Sequence, residues 1–342
     1  MPSPELRDAL ADAGIPEYEL ASAEAAGTLR LLALERLVLE GPPKYDADEV
    51  ARRAGMPREL SSRFWRALGF PDVPEGEAAF TDADVAALAV TAGMIDRGVL
   101  SPEVALQVTR VIASSAARVA ETQLEGLIQR TPTAPADPER LAAETEALLA
   151  TPRFFEHMWR RHLAALARRA RLRLTPGEAA PVAVGFADLV GFTRMSATLD
   201  EEALATVVDR FALLAFDRVA AAGGRVVKMI GDEVMFSMDD LRGAAELGLD
   251  LVDAYAGDFE LPDVRVSLTW GPVLARDGDL FGSVVNLASR IVGVARPASV
   301  VVSNEVHEQV EGEDGFGWHR MRPRYLKGIG RVPLWVLRRA DN

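Results

Sequence analysis

The chain contains no cysteine, which excludes disulfide bonds, thiolate metal sites and a cysteine nucleophile. Histidine is scarce, with 4 residues in 342, and no apolar run approaches the roughly 18 residues that a helix needs to cross a bilayer. The first residues, MPSPELRDAL, are acidic and amphipathic, unlike a secretory signal. We therefore expect a cytoplasmic protein that does not associate with membranes.

An excess of positive charge is also lacking, because 51 Asp and Glu residues outnumber 38 Lys and Arg residues and the net charge is −13. This balance argues against nonspecific polyanion binding by the whole molecule, although a local basic patch stays compatible with it. Hydrophobic residues make up 49% of the chain. A chain of this length and composition can bury the cores of two ordinary domains.

Proline and glycine divide the chain into regions of different character. Residues 1–151 are rich in Ala, Leu, Glu and Arg, with apolar residues at helical spacing. The proline-rich segment 131–138 predicts a linker, residues 152–173 predict one further helix, and Thr-Pro-Gly at 175–177 predicts a second break. We therefore predict an all-α domain over 1–151, a linker helix and connector over 152–180, and a second domain over 181–342.

Strand-like and helical segments alternate from residue 181 onward. The apolar runs predict strands at 182–187, 225–230, 234–237, 264–270, 299–302 and 334–337, and helices at 201–222, 241–255 and 284–294. This order, with a hairpin turn at Gly231-Asp232, is typical of a ferredoxin-like βαββαβ sheet with additions. The predicted fold class is α+β, with this domain preceded by the all-α domain.

Two aspartates, Asp188 and Asp232, each follow an apolar strand and lie close to a glycine. A carboxylate at the end of a buried strand is costly unless a cation meets it. One such aspartate alone could equally cap a turn, but two on neighbouring strands favour an oxygen-ligand site for Mg²⁺ or Mn²⁺. Metal ions held in this way are suited to binding a triphosphate.

Five further polar residues are candidates for a site, although each taken alone has an ordinary explanation. Lys228 lies inside an apolar strand and needs a partner, for which Asp279 is a candidate. Asn286 and Arg290 share a helical face and could orient a sugar and stabilise phosphate charge. Lys327 lies in a glycine-flanked loop, from which it could reach a terminal phosphate. The alternatives are an edge lysine, a turn aspartate, a surface Asn–Arg pair and a solvated loop lysine.

The motifs FADLVGFT, KMIGDEVMF, DLFGSVVNLASR and LKGIG occur in this order over about residues 181–339. Together they resemble the catalytic domain of class III nucleotidyl cyclases. The resemblance implies a phosphorus-oxygen lyase that converts ATP to 3′,5′-cyclic AMP and pyrophosphate. It further implies that Asp188, Asp232 and the carbonyl of Leu189 hold two Mg²⁺ or Mn²⁺ ions per site.

The resemblance also assigns roles to the five other polar residues. Lys228 would donate to a ring nitrogen of adenine and Asp279 would accept from its exocyclic amine, so that ATP is preferred over GTP. Asn286 would orient the ribose, Arg290 would neutralise charge at the α-phosphate, and Lys327 would bind the β/γ end. A guanylate cyclase is the alternative that this Lys–Asp pair disfavours.

The family builds each site across a dimer interface. The resemblance therefore implies that the metal-binding aspartates come from one subunit and the five other residues from its partner. One chain carries both sets, so a homodimer with two equivalent shared sites follows.

The N-terminal half resembles the helical regulatory region of actinobacterial cyclases, some of which respond to pH. Within it, residues 45–88 also resemble the helix-turn-helix of mercury-resistance-type activators, with Arg58, Arg63 and Arg66 on the second helix. A DNA-binding regulator with a nucleotide-sensing cyclase-like domain is therefore an alternative. Because Glu59 and further acidic residues lie nearby, we favour a regulatory or dimerisation module and consider nucleic-acid binding unlikely.

The predicted helix 152–173 carries seven arginines together with His157 and His162. Its place immediately before the first catalytic strand predicts a transmitter between the two domains. His162 shares a stripe with Phe155, Trp159 and Leu166, which is typical of a packed core residue. The near-neutral pKa of an ordinary histidine also leaves a proton switch open. A small regulatory ligand such as a lipid is a further alternative.

Overall fold

The computed structural model describes residues 4–12, 14–39, 41–129, 138–172 and 180–340. The chain folds into two compact units, Met1–Leu172 and Arg173–Asn342. Within the described ranges, no helix is both long enough and apolar enough to cross a membrane.

The regular secondary structure of the first unit is helical in the described ranges, apart from an isolated β-bridge between Tyr45 and Phe80. Small apolar clusters hold the helices together, one of them built around Leu20 and Leu29 and another around Phe64 and Leu106. The helices are α1 (Pro4–Asp12), α2 (Glu17–Ala25), α3 (Leu29–Val38), α4 (Ala47–Ala54), α5 (Arg58–Ala67), α6 (Asp82–Asp96), α7 (Pro102–Gln129) and α8 (Pro138–Leu172).

Helices α4 and α5 form the predicted helix-turn-helix. Asp46 caps α4 by accepting bonds from two backbone amides, and Gly55 ends it in the left-handed region at φ 69°. The exposed arginines of α5 have acidic neighbours: Arg58 pairs with Asp48 at 2.6 Å, and Arg66 with Asp72 at 3.7 Å. This local neutralisation weakens the case for phosphate binding by this surface.

The predicted helix start at Pro152 is wrong, because α8 runs without interruption from Pro138 to Leu172 with Pro152 inside it. A proline within a helix removes one backbone hydrogen bond, at a cost of about 3 kcal/mol. The segments on both sides are rich in Ala, Leu, Glu and Arg, which favour helix strongly enough to offset that cost. Except for Pro138, the first residue of α8, the predicted linker 131–138 lies outside the described residues, as does the break at 175–177.

The second unit is built on a seven-stranded sheet of order β2-β3-β1-β4-β7-β11-β8. All neighbours are antiparallel except β4 and β7. The strands are β1 (Val182–Leu189), β2 (Arg225–Ile230), β3 (Glu233–Met238), β4 (Val264–Gly271), β5 (Leu274–Arg276), β6 (Asp279–Phe281), β7 (Ser299–Ser303), β8 (Phe316–Arg320), β9 (Arg324–Leu326), β10 (Gly330–Val332) and β11 (Leu334–Arg339). The helices are α9 (Phe192–Ser196), α10 (Glu201–Ala221), α11 (Leu241–Ala256), α12 (Ser283–Val292) and α13 (Asn304–Val310).

The predicted α+β class is confirmed, and the elements β1, α10, β2, β3, α11 and β4 form the ferredoxin-like βαββαβ core. All six predicted strands and all three predicted helices are present. The additions include β8 and two short hairpins, β5–β6 and β9–β10, which the sequence did not predict.

The alternation of side chains along β1 decides the face of the sheet on which Asp188 lies. Ala183 and Ala187 point into the larger core, which α10 and α11 cover. Val184 and Phe186 point to the opposite face, where they pack with residues of α12. Because successive residues of a strand alternate between faces, Asp188 lies on the α12 side, where β1 ends.

Candidate active site

Three charged residues form a row across the end of the sheet, on strands β3, β1 and β4. Asp188 is directly paired with Glu233 on one side and with Arg265 on the other. Directly paired residues of antiparallel strands share a face, so the three side chains are neighbours. The guanidinium of Arg265 donates through Nε to Oδ2 of Asp188 at 2.6 Å. We call Asp188, Glu233 and Arg265 the charged row.

Asp232 lies beside this row because the turn between β2 and β3 brings it there. Gly231 makes that turn possible by adopting φ 61°. The backbone amide of Leu189 donates to the carbonyl of Asp232 at 3.0 Å, which joins the end of β1 directly to the turn. The structure therefore brings together Asp188, Leu189 and Asp232, the three predicted metal ligands.

Negative charge is concentrated at this point. Burial raises the pKa of Asp188, Arg265 opposes that rise, and the nearby Asp232 adds to it. Burial raises the pKa of Glu233 to about 7, with further contributions from the charges of Asp188 and Asp232. Carboxylates crowded in this way favour a bound cation.

The donor set fits divalent metal ions. Arg265 already supplies one positive charge to Asp188, and two aspartates with a backbone carbonyl are hard oxygen donors suited to Mg²⁺ or Mn²⁺. Among the described residues, no group of three or more His, Cys, Asp or Glu side chains is arranged to hold a metal by itself. Mg²⁺ is usually held by only one or two carboxylates, with its other ligands coming from water or phosphate oxygens, and two aspartates match that number.

We expect Glu233→Gln to raise the melting temperature at pH 8 and to leave it nearly unchanged at pH 5 when divalent metal is absent. The carboxyl has an ordinary pKa of 4.5 in the unfolded chain and a pKa of about 7 in the fold. Between these values the folded state keeps a proton that the unfolded state has lost, so wild-type stability falls as pH rises. Glutamine avoids this loss of stability, which is about 1 kcal/mol after allowance for partial exposure. That free energy corresponds to a rise in melting temperature of about 3 °C.

Thermal unfolding followed by circular dichroism in EDTA, at steps from pH 5 to pH 8, measures this effect. Added Mn²⁺ should shrink the advantage of the variant, because the cation relieves the same repulsion. A shift of equal size at every pH would show that Glu233 acts through packing and not through its charge.

Sequence reasoning missed Glu233 and Arg265. Glu233 directly follows Asp232 in the quoted motif, but nothing in the sequence places its side chain beside Asp188. Arg265 is separated from Asp188 by 77 residues, and only the register of β1 with β4 brings them together.

Lys228 and Asp279 meet as predicted. Lys228 Nζ lies 2.5 Å from Asp279 Oδ2, and the two side chains are 40% and 26% exposed. The other carboxylate oxygen of Asp279 accepts from the amide of Leu280 at 2.8 Å, which fixes its orientation. The pair joins strand β2 to hairpin β5–β6 and presents one donor and one acceptor to solvent.

The three remaining candidates lie on the elements next to this pair. Asn286 and Arg290 are exposed on α12, one turn apart. Lys327 is exposed at the tip of hairpin β9–β10, just after the buried Leu326, which packs with Leu287 and Ile291 of α12. Within the described part of the chain, no hydrogen bond or ion pair joins these three residues to the charged row. One chain thus presents two separate sets of residues. The first is the charged row with Leu189 and Asp232, and the second is Lys228, Asp279, Asn286, Arg290 and Lys327.

Comparison with known proteins gives this arrangement a family. The profile of the adenylate and guanylate cyclase catalytic domain matches residues 175–339, and that of the adenylate cyclase regulatory domain matches residues 3–152. An adenylate cyclase of Streptomyces coelicolor is 38% identical over 96% of this chain and 94% of its own length. A pH-sensitive adenylate cyclase of Mycobacterium tuberculosis is 33% identical over 91% of this chain and 82% of its own length.

Among solved structures, the guanylate cyclase domain from Catenaria anguillulae in complex with GTP covers 48% of this chain and 100% of that domain, at 21% identity and a TM-score of 0.44. The family itself is shown by the relative from Streptomyces coelicolor, which spans nearly the whole chain, and by the two matching profiles. The chain therefore belongs to the class III adenylate cyclases in which a helical regulatory domain precedes the catalytic domain.

Proposed function

We propose that this adenylate cyclase converts ATP to 3′,5′-cyclic AMP and pyrophosphate at two sites shared by two copies of the chain. The observation that carries the proposal is the connection of Asp188, Leu189 and Asp232 into one oxygen-rich cluster. A second set, separate from this cluster, provides a Lys228–Asp279 pair able to recognise a purine.

Asp188, Asp232 and the Leu189 carbonyl would hold two divalent ions together with the phosphates of the nucleotide. Bound there, the ions would supply positive charge to the ribose 3′-oxygen and to the β- and γ-phosphates. Arg265 lies directly against Asp188 at 2.6 Å and keeps that carboxylate oriented. Glu233 adds a further carboxylate to the row, which increases the negative potential that attracts cations.

The second set, which we call the nucleotide-binding set, would bind and orient the nucleotide. It consists of Lys228, Asp279, Asn286, Arg290 and Lys327. Lys228 donates to adenine N1 and Asp279 accepts from the 6-amino group, whereas guanine presents the reverse pattern at both positions. Asn286 fixes the ribose, so that its 3′-oxygen lies in line with the α-phosphorus. Arg290 neutralises the charge that grows on the α-phosphate oxygens, and Lys327 binds the departing end.

The reaction itself exchanges one bond for another. The ribose 3′-hydroxyl gives its proton to solvent water, and its oxygen forms a bond to the α-phosphorus. The bond between that phosphorus and the oxygen bridging to the β-phosphate breaks, which releases pyrophosphate. The side chains of this protein supply orientation and charge, and they form no covalent intermediate.

Exposed apolar residues around the second set support the homodimer. They lie on the β2–β3 turn and on the two short hairpins, where a monomer gains nothing by exposing them. They are Ile230 at 45% exposure, Leu274 at 61%, Phe281 at 47%, Tyr325 at 73% and Ile329 at 42%. Pairing two copies through these surfaces would cover them and bring each charged row to the nucleotide-binding set of the partner.

The regulatory domain would set how well the two catalytic domains close, with a proton or a small ligand as its input. His157 and His162 are both exposed on α8, so the interpretation of His162 as a packed core residue is wrong for the described chain. One relative is a pH-sensitive adenylate cyclase, which supports a proton as the regulatory input. Unchanged pH–activity profiles in His157→Ala and His162→Ala would remove both histidines as sensors.

Incubating the full-length protein with ATP and Mn²⁺, and with GTP in a parallel reaction, tests the activity. We expect cyclic AMP to accumulate, with much less cyclic GMP. A preference for GTP would make the protein a guanylate cyclase. If neither product forms with Mn²⁺ or Mg²⁺, the nucleotide-sensing alternative would replace the proposal.

A further inference from the structure

The C-terminal part of the catalytic domain differs in charge from the rest of this acidic chain. Residues 315–340 contain seven Lys and Arg residues and no Asp or Glu, so that all 51 acidic residues lie elsewhere. Three of the seven, Arg322, Arg324 and Arg331, lie on or immediately before hairpin β9–β10. We call these three residues the basic collar.

The collar keeps its positive charge unneutralised. All three arginines are exposed, and none forms an ion pair within the described ranges 4–12, 14–39, 41–129, 138–172 and 180–340. Other arginines of the same domain behave differently: Arg339 pairs with Asp250 and Asp253, and Arg210 pairs with Asp258. Positive charge left free on the surface of a protein with net charge −13 sets up a local attractive potential for anions.

The hairpin is fixed beside the nucleotide-binding set. Leu326 is 2% exposed and packs with Leu287 and Ile291 of α12, the helix that carries Asn286 and Arg290. In the register of the hairpin, Leu326 faces Gly330 and Arg331 faces Tyr325. Lys327 lies at the tip between the two strands. The three collar residues therefore lie along the chain on both sides of the residue proposed to bind the β/γ end of the nucleotide.

We propose that the basic collar draws the polyphosphate of the approaching nucleotide toward the site by charge, without forming a specific contact. The net charge of −13 opposes the approach of ATP, and a local positive patch reduces that opposition. The inference rests on the proposed function and deepens it. An effect of this kind depends on the number of positive charges and on salt, and hardly on the geometry of the side chains.

The test compares full-length wild type with Arg322→Gln/Arg324→Gln/Arg331→Gln. At low ionic strength we expect KM for ATP to rise about five-fold, because three positive charges on and beside the hairpin that carries Lys327 are lost. The difference should vanish near about 0.5 M salt, where screening is nearly complete. Turnover at saturating ATP should stay unchanged, because the variant keeps Lys327 and the other proposed site residues. The dissociation constant of inorganic tripolyphosphate, measured directly by isothermal titration calorimetry, should rise by a similar factor at low ionic strength.

Two matched variants give the controls. Arg118→Gln/Arg218→Gln/Arg338→Gln removes the same number of exposed charges elsewhere and should leave KM at its wild-type value. Arg322→Lys/Arg324→Lys/Arg331→Lys keeps the three positive charges on side chains of different geometry and should have the KM of wild type. Circular dichroism and melting temperature confirm that each variant is folded.

The proposal is overturned if the collar variant keeps the KM of wild type, if its KM shift persists at high salt, or if the control triple shifts KM equally. It is also overturned if the lysine variant loses as much affinity as the glutamine variant. Failure of the wild type to form cyclic AMP would instead count against the proposed function, and the tripolyphosphate measurement then remains as an independent test of the collar.

Discussion

A mixture of Asp188→Asn chains and Asn286→Ala chains is expected to recover about a quarter of the wild-type cyclase activity, whereas each variant alone falls below about one hundredth. Asp188 belongs to the charged row, and Asn286 lies on α12 in the separate nucleotide-binding set. Random pairing of equal amounts makes half of the dimers mixed, and one of the two sites in each mixed dimer is intact.

The measurement is cyclic AMP formation after the two purified variants have been mixed and allowed to exchange subunits. Asp188→Asn mixed with Asp232→Asn is the matched control, because both substitutions fall in the same set and no mixed dimer has an intact site. Recovery in the control as well, or no recovery in the test mixture despite proven subunit exchange, would contradict the shared site.

Reversing the Lys228–Asp279 pair is expected to reverse the base preference. In Lys228→Glu/Asp279→Lys, an acceptor meets guanine N1–H and a donor meets guanine O6, while the ion pair observed at 2.5 Å can re-form in the opposite direction. We expect the ratio of kcat/KM for ATP over GTP to fall by at least about a thousand-fold, since each unmatched buried polar group costs discrimination on this scale.

Parallel assays with ATP and GTP measure this ratio. Lys228→Gln provides the control, because an amide can donate or accept and should weaken the preference without inverting it. Retained ATP preference in the double variant would show that another part of the pocket selects the base.

Much of the catalytic domain was predictable because the six predicted strands are largely apolar runs of five to eight residues. The predicted meeting of Lys228 with Asp279 is confirmed although 51 residues separate them. Glu233 and Arg265 were not predictable, because their roles depend on which residues face each other across β3, β1 and β4. Hairpins β5–β6 and β9–β10 have strands of only three residues, too short for alternation to stand out from loop sequence.

The regulatory half was predictable in class but not in its boundaries. Helical periodicity gave an all-α unit, and the predicted helix-turn-helix is present as α4, the turn at Gly55 and α5. The prediction of a break at Pro152 failed because a local helix breaker was weighed without the strong helix formers on both sides of it. The sequence gives no measure of the stability that a 35-residue helix retains after it loses one backbone hydrogen bond.

The bond from the Leu189 amide to the Asp232 carbonyl has a consequence for control of the enzyme. It ties the end of β1 to the β2–β3 turn within one chain, so the proposed metal ligands are held together without a second copy. An inhibitory signal from the N-terminal domain would then separate the two copies of the chain while the residue sets of each copy stay intact. When nucleotide is absent, the switched-off enzyme should accordingly bind Mn²⁺ as tightly as the switched-on enzyme, and the two forms should differ in their affinity for the nucleotide.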